Sequence, residues 1–600
     1  MNVKGFVGRR VLLAAAKAGT FAGDRRGSVM TIVAVCLPFM LGFAGLACEF
    51  GYSLVRKSEN QRVADMAAYA GALAYSQGQS EDQAKQAAWR VAAMNGVQKA
   101  ELVGRIVPSP RDPSVPAMEV SVAVDHPLYL SRIIYDKASL RVTNVAYAET
   151  ASAAEAQAGC MLALDAGSTG LTLSGGTSVS APKCTVSSNA AVSVPCGTTL
   201  TAKEVTYGSS SAPSQPCSGI KGPGGTAAKI TKQVTDDPLA GSAAIAAAMS
   251  RFKSVDAIHV DDLGGPDIDF GWTQSTTQAA AKAAGCSAAF SGSKWTLACD
   301  GKQEARFGKM TVGGGLSVDF CVSCSGKTFS FGSVTATGTV RFGPGQYSIA
   351  KGIVVPGGSS ATFMAGKGNG YRIGAGANGA AVSVQGGASL VFSQDSGPAS
   401  VFETAGDIVS SGGSCVVLPA AAQHDVDGSI SLQGQAGLGA GTYTVNGYFS
   451  MSAGGGNCSG QSGALSAKDV SIVLSGKTLS KSGGCNGAAF CMTGGQSGTV
   501  LTAPASGPLA KLAIVGPQSS SGGMALTGGA SNFTVSGVLY FPKGPILESG
   551  GASSASAAGG CLQMIGKSIT LTGGTTAASS CDLAAAAGGA AGKGKVRIVQ

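Results

Sequence analysis

Cysteines and a few carboxylates carry the chemistry this sequence could perform. Of 16 cysteines, 14 lie at or after Cys160, and none falls between Glu49 and Gly159. Cys321-Val322-Ser323-Cys324 has the spacing of a redox-active pair or of half a zinc site. A structural zinc site is closed by four nitrogen or sulfur ligands. No second Cys-x-x-Cys accompanies this one, and His126, His259 and His424 are far apart in sequence. Structural disulfides are the favoured reading, because an even set confined to one part of a chain fits an oxidising compartment. Cys160 with Cys184, and Cys561 with Cys581, are close enough to form local bridges. Connectivity stays open at this level.

The carboxylates point to no reaction. Asp165-Ala166-Gly167-Ser168 and Asp395-Ser396-Gly397 approach the paired Asp-Thr/Ser-Gly turns in which two carboxyls share a proton. The first lacks a hydroxyl residue after Asp, and the second runs into Pro398. Asp261, Asp262, Asp267 and Asp269 could offer oxygens to calcium, but their setting reads better as a solvated acidic loop. His126, before Pro127, reads as a lone structural histidine in a loop. No catalytic residue, cofactor or metal ligand is assigned.

The elements around these residues begin with Val29–Cys48, an uncharged run ending at Glu49. Its 20 residues at 1.5 Å each match a hydrocarbon core of about 30 Å. A cleaved signal peptide usually has a shorter apolar region, so an uncleaved transmembrane helix over 28–50 is expected. Lys4, Arg9, Arg10, Lys17, Arg25 and Arg26 precede it against a single Asp24, half of the chain's formal net charge of +10. The positive-inside rule then keeps the basic segment 1–27 in the cytoplasm and sends residues 51–600 across the bacterial inner membrane, to face the periplasm or the cell surface. Residues 151–600 carry 26 Lys and Arg against 21 Asp and Glu with no basic stripe, so no nucleic-acid partner is expected.

Beyond the span, Ala64, Ala68 and Ala72 recur every four residues on a continuous helix. With Gly42 and Gly45 inside the span, these small residues are candidates for helix association; the competing reading is plain helix propensity. Residues 51–150 read as a membrane-proximal α+β domain. It has a helix from Gln83 to Asn95 behind a Ser80/Gln83 capping box, a proline-punctuated loop, and strands at Glu119–Val124 and Ser139–Ala148. Residues 151–159 read as a linker. From 160 to 600 the chain is rich in Gly and Ser; glycine makes up 91 of all 600 residues. Gly-Gly followed by a small residue and Ser, Thr or Cys recurs at Gly175, Gly357, Gly386, Gly412, Gly528 and Gly573, beside short alternating strands. Repeated tight turns between short strands imply a mainly β region. A parallel β-helix or solenoid is expected, with a β-sandwich as the alternative. Few large aromatics suggest a narrow interior of Val, Ile, Leu, Ala and Ser.

Several of these segments together resemble a known family. Arg25-Arg26-Gly27-Ser28 leads into the span; Gly42 to Gly51 closes it with Cys48-Glu49-Phe50-Gly51. Asn60-Gln61-Arg62-Val63-Ala64-Asp65-Met66-Ala67-Ala68-Tyr69-Ala70-Gly71-Ala72 follows. The whole is similar to the amino-terminal segment of TadG-like proteins of the Flp (tight-adherence) pilus assembly system. Cys160–Cys184, the turns at Gly345-Gln346-Tyr347 and Gly441-Thr442-Tyr443, and Gly537–Pro542 with Cys561 and Cys581 resemble that family's exported part. Were Gly27 a prepilin cleavage site, the fifth mature residue would be Ile32 rather than the Glu of a pilin, so the resemblance does not imply incorporation in a filament. The von Willebrand-type metal site of some relatives is not matched, because Asp165 is followed two residues later by Gly167. The resemblance implies a non-enzymatic, membrane-anchored component whose partners are other pilus-assembly or envelope proteins. A surface adhesin or carbohydrate-binding β-helix, and a β-helical polysaccharide-cleaving enzyme, are the alternatives.

Overall fold

The structure, a computed structural model, describes residues 28–579 and 596–599 apart from 77–79, 99–100, 111–115, 130–137, 150–158, 168–169, 325, 394–396, 453–454, 457, 459–462, 482 and 495–496. The chain forms two compact units, residues 1–156 with 591–600, and residues 157–590.

The first unit is built on one 49-residue helix, α1 (Ser28–Ser76), with Pro38 inside it. A second helix, α2 (Glu81–Met94), starts where Ser80 and Gln83 cap each other reciprocally. Strands β1 (Leu102–Pro108), β2 (Pro116–Pro127) and β3 (Ser139–Glu149) form an antiparallel sheet. Alternate residues Met118, Val120 and Val122 of β2, with Ala146 and Ala148 of β3, are buried in one cluster with alanines of both helices. β1 is an element the proline-rich sequence obscured, and His126 belongs to β2 rather than to a loop.

A domain running unbroken from 160 to 600 is corrected by the chain's last strand, Arg597–Val599. It pairs with β3 of the first unit, Tyr147 opposite Val599 and Glu149 opposite Arg597. That strand gains a ladder of backbone hydrogen bonds on an edge of β3 that would otherwise stay open. The second unit is therefore an insertion between β3 and that strand. Its two ends meet, as an inserted domain requires: Met161 pairs with Met564, and Ser178 with Thr576.

The second unit is a β-solenoid. Its described residues contain one ladder of 39 strands, parallel throughout except for the hairpin Ser287–Ser291/Lys294–Ala298. Each strand hydrogen-bonds to one from the next coil: Phe342 faces Phe363, Phe363 faces Phe392, and Tyr371 faces Phe402. Two sheets of a sandwich cannot give this coil-to-coil parallel pairing.

The Gly-Gly turns stack as one edge of the solenoid. Gly358, Gly387 and Gly413 all have φ near +70°, the left-handed region that only glycine occupies without strain. A Cβ on Gly357 would lie 3.2 Å from the Gly386 carbonyl, and one on Gly386 would lie 3.2 Å from that of Gly412. A further copy, Gly550-Gly551-Ala552-Ser553, sits between the turns at Gly528 and Gly573.

The interior is wider than the composition implied. Phe320, Phe342, Phe363 and Phe392 form one column; the Phe342–Phe363 and Phe363–Phe392 rings stack at 4.4 and 4.7 Å. Phe329, Tyr347, Tyr371, Phe402, His424 and Tyr443 form a second column. The aromatics are few, but nine of them are gathered in these two columns, where a planar ring fits over the ring one ladder step away.

Order along the stack differs from order along the chain. Coils run from Ile268 to Ala578 and continue directly into the strands from Met161 to Lys232. The first-made coils are thus the last in the stack. Residues 233–267 must return the chain along roughly 70 Å, about fifteen ladder steps of about 4.8 Å. They do so as a strap with two short helices, Ala243–Ser250 and Phe252–Val255. Asp237 accepts from the Tyr540 hydroxyl at 2.7 Å, and Leu239, Ile245 and Phe252 are buried with Val473, Val515 and Tyr540. Farther along, Arg251 grips Asp425 with two bonds of 2.8 and 2.6 Å, Asp256 meets Lys477 at 2.6 Å, and Asp262 meets Lys351 at 2.8 Å.

Candidate functional site: the anchor helix and its docking sheet

The character of α1 changes along its length. From Val29 to Val55 its described apolar side chains are exposed, with Val29, Phe39 and Phe43 each about 70% accessible. Such a surface is unstable in water and suits a bilayer, and the helix is long and apolar enough to cross one. From Val63 onward the apolar face is buried instead. Val63, Ala64, Ala67, Ala68 and Ala72 pack in one cluster with Ala88 and Ala92 of α2 and Met118 and Val120 of β2.

Polar residues lock this half of α1 in register. Gln61 donates to Asp65 at 2.9 Å and to the Val145 carbonyl at 3.3 Å, and accepts from Asn144 at 2.9 Å. A Cβ on Gly71 would meet Met118 and the Ala84 carbonyl at 3.0–3.1 Å, so glycine there permits the close approach of α1 to α2 and the sheet. At the membrane end, Glu49 accepts the Tyr129 backbone N–H at 2.7 Å. His126 lies edge-on to Tyr52 at 6.4 Å, and burial, reinforced by the Arg56 charge, lowers its pKa.

The alanines named as candidates for helix association have a neighbouring helix within the unit. Ala64, Ala68 and Ala72 are fully buried, and the helix that approaches them is α2 of the same unit. Gly42 and Gly45 lie on the apolar stretch, and a Cβ on Gly42 would meet nothing within 4 Å.

Elsewhere the candidate chemistry resolves into structure. Six disulfides join Cys160–Cys184, Cys196–Cys217, Cys286–Cys299, Cys321–Cys324, Cys415–Cys458 and Cys485–Cys491. Cys561 is also disulfide-bonded, and Cys581 lies outside the described residues. Asp165 caps the Gly167 N–H at 3.1 Å; Ser168, Asp395 and Ser396 lie outside the described residues. The acids of 261–269 serve separate partners rather than one centre. Asp261 meets His259, Asp262 meets Lys351, Asp267 accepts the Lys309 N–H, and Asp269 accepts the Thr311 hydroxyl. Among the described residues no three His, Cys, Asp or Glu side chains converge as metal ligands.

The stretch that combines exposed span and docked helix has a counterpart among known proteins. Residues 27–74 match the family of putative Flp pilus-assembly TadE/G-like proteins. The match covers 48 of 600 residues. No curated protein and no solved structure matches the chain. The TadE/G-like segment therefore comprises the span together with the helical half that docks on α2 and the sheet. Its small residues and its Gln61 and Asp65 are the ones used in that docking, so the recognisable pattern is one of packing. The segment links the chain to pilus assembly and fits a single-pass membrane anchor.

Proposed function

We propose that this protein is a non-enzymatic component of Flp/Tad pilus assembly, anchored once in the bacterial inner membrane, that holds a disulfide-stapled β-solenoid out to other envelope or pilus proteins. The carrying observation is that the TadE/G-like helix is continuous with the domain into which the solenoid is inserted. A helix running without a break from span to docked sheet couples the exported region to the membrane. The basic segment 1–27 stays cytoplasmic and residues 51–600 face the periplasm or the surface, consistent with a bridged set of cysteines there. Gly42, with open space around it, is the position at which another span would approach, whereas Gly45 is buried.

Crosslinking and membrane fractionation of a pilus-producing strain test this reading. Recovery with other components of the assembly system, lost when span residues 29–48 are replaced by an unrelated apolar helix of equal length, is the expected result. Recovery of the protein alone would overturn it. Orientation is tested separately: alkaline phosphatase fused after residue 76 should be active, and activity of a cytoplasmic reporter at the same junction would reverse the topology.

A further inference from the structure

The apolar surface of α1 does not stop at Glu49. Phe50, Tyr52, Leu54 and Val55 remain 49–65% exposed, and charge returns only with Arg56 and Lys57. From Glu49 to Arg56 the helix climbs about 10 Å at 1.5 Å per residue. That matches the layer of headgroups and upper acyl chains outside the hydrocarbon core, where Tyr and Trp are enriched.

The β2–β3 hairpin reaches this same level. Tyr129, just past the end of β2, is 76% exposed, yet its backbone N–H is fixed to the Glu49 carboxylate at 2.7 Å. Leu140, near the start of β3, is 39% exposed beside it. Glu49, Tyr52, His126, Leu128, Tyr129 and Leu140 line a cleft of about 390 Å³, mostly apolar. Exposed aromatic and aliphatic side chains at the end of a sheet would be unfavourable in water. Here they are clamped against the helix at the point where it leaves the apolar run. The clamp also gives the boundary carboxylate a donor, which lowers the cost of placing it there.

We infer that the end of the β2–β3 pair, at Tyr129 and Leu140, is a second, interfacial membrane contact, with these two side chains seated in the headgroup–acyl boundary of the same bilayer that α1 spans. The occupant of the apolar surface is lipid, because the surface is continuous with the lipid-facing side of the helix. This inference rests on the membrane-anchor reading. It makes the first unit a domain held against the bilayer at fixed depth by two attachments rather than one swinging on a single stalk.

The test uses the full chain in proteoliposomes of two kinds, with bromine near the carbonyl end of the acyl chains to read positions 129, 140 and 103, and near the methyl end to read position 39. Tryptophan is introduced singly as Tyr129→Trp, Leu140→Trp, Phe39→Trp and Val103→Trp, and the added emission is read as the difference from the parent protein. Val103 pairs with Ser121, six residues back from Pro127, and is 62% exposed, so it reports the sheet away from that end. Loss of at least half the added emission at positions 129 and 140, with none at 103, is expected. Quenching at Phe39→Trp without quenching at 129 and 140 overturns the interfacial contact while leaving the anchor intact. Equal quenching at Val103→Trp overturns it as well, since that end would then not be the contact. Absence of quenching at Phe39→Trp defeats the anchor reading itself and the inference with it.

Discussion

Phe363→Ala should lower the stability of the solenoid by about 3–5 kcal/mol, the range for deleting a buried aromatic side chain. Phe363 is fully buried, stacked on Phe342 and Phe392 at 4.4 and 4.7 Å and edge-on to Tyr347 and Tyr371. Neighbouring coils are joined by ladder hydrogen bonds on several sides, so they cannot collapse into the hole. Phe363→Leu, which keeps most of the volume, should cost markedly less. Urea unfolding of the full chain, followed by the circular dichroism of its strands, measures both. Equal midpoints for Phe363→Ala and the parent would mean that the column does not hold the coils together.

Two buried ionisable groups should carry opposite pH dependences that hide each other. His424 is stacked flat on Tyr443 at 3.9 Å and lies 2.7 Å from the Pro419 carbonyl; because a carbonyl only accepts, Nε2 carries the hydrogen. Burial lowers its pKa from 6.5 to about 4. The unfolded chain therefore binds the proton first as pH falls. The stability of neutral His424 is present above about pH 6.5 and lost toward pH 4. Glu548 is fully buried, at an interior position between Leu526 and Leu571 in the ladder. Neither of its carboxyl oxygens has a hydrogen-bond partner of good geometry among the described residues. Burial raises its pKa from 4.5 to about 7, with the Ser554 hydroxyl acting weakly in the other direction. Its stability is present below about pH 4.5 and lost as pH rises through 7.

Between those limits the native state holds its proton on Glu548 and the unfolded state holds one on His424, so the slopes cancel. Glu548→Gln should leave a protein whose stability rises by about 3 kcal/mol from pH 4 to 6.5. His424→Phe should leave one whose stability falls by about 3 kcal/mol from pH 4.5 to 7. Surface groups are common to all three proteins, so differences from the parent in urea midpoint at each pH isolate the two effects. Three parallel curves would refute the compensation.

The sequence disclosed most of what depends on local pattern. The apolar run ending at Glu49, the Ser80 capping box and the Gly-Gly turns each state their own conformation, because a span, a cap and a positive φ need only neighbouring residues. The Gly550 turn fitted the same pattern and could have been found by it. What depends on long-range pairing was hidden. Nothing near Met161 announces that it will stack on Met564, and nothing in residues 233–267 identifies them as a strap except acids and small helices that a solvated loop would also contain. The four-residue spacing of Ala64, Ala68 and Ala72 indicated a close helix neighbour without saying which one. It is α2, whose own Ala88 and Ala92 complete the contact. The aromatic columns were diluted in the composition and became visible only when coils of about 20–30 residues were laid over one another.

The reversed stacking order has a consequence for how the protein is made. A chain emerging amino-terminus first presents residues 161–232 long before the coil at 562–578 on which they rest. Bringing Met161 to Met564 closes a loop of about 400 residues, an entropy cost on the order of 5 kcal/mol. Those early strands must wait with bare edges while the rest of the unit is made, and Arg597–Val599 cannot complete the β3 edge until all of residues 150–596 have been made. A chain arrested before residue 562 would leave both edges open at once, a signal that proteases or chaperones of the compartment could read. Assembly of the solenoid is thereby gated: its stack closes only when the coil at 562–578 has met the strands that begin at Met161.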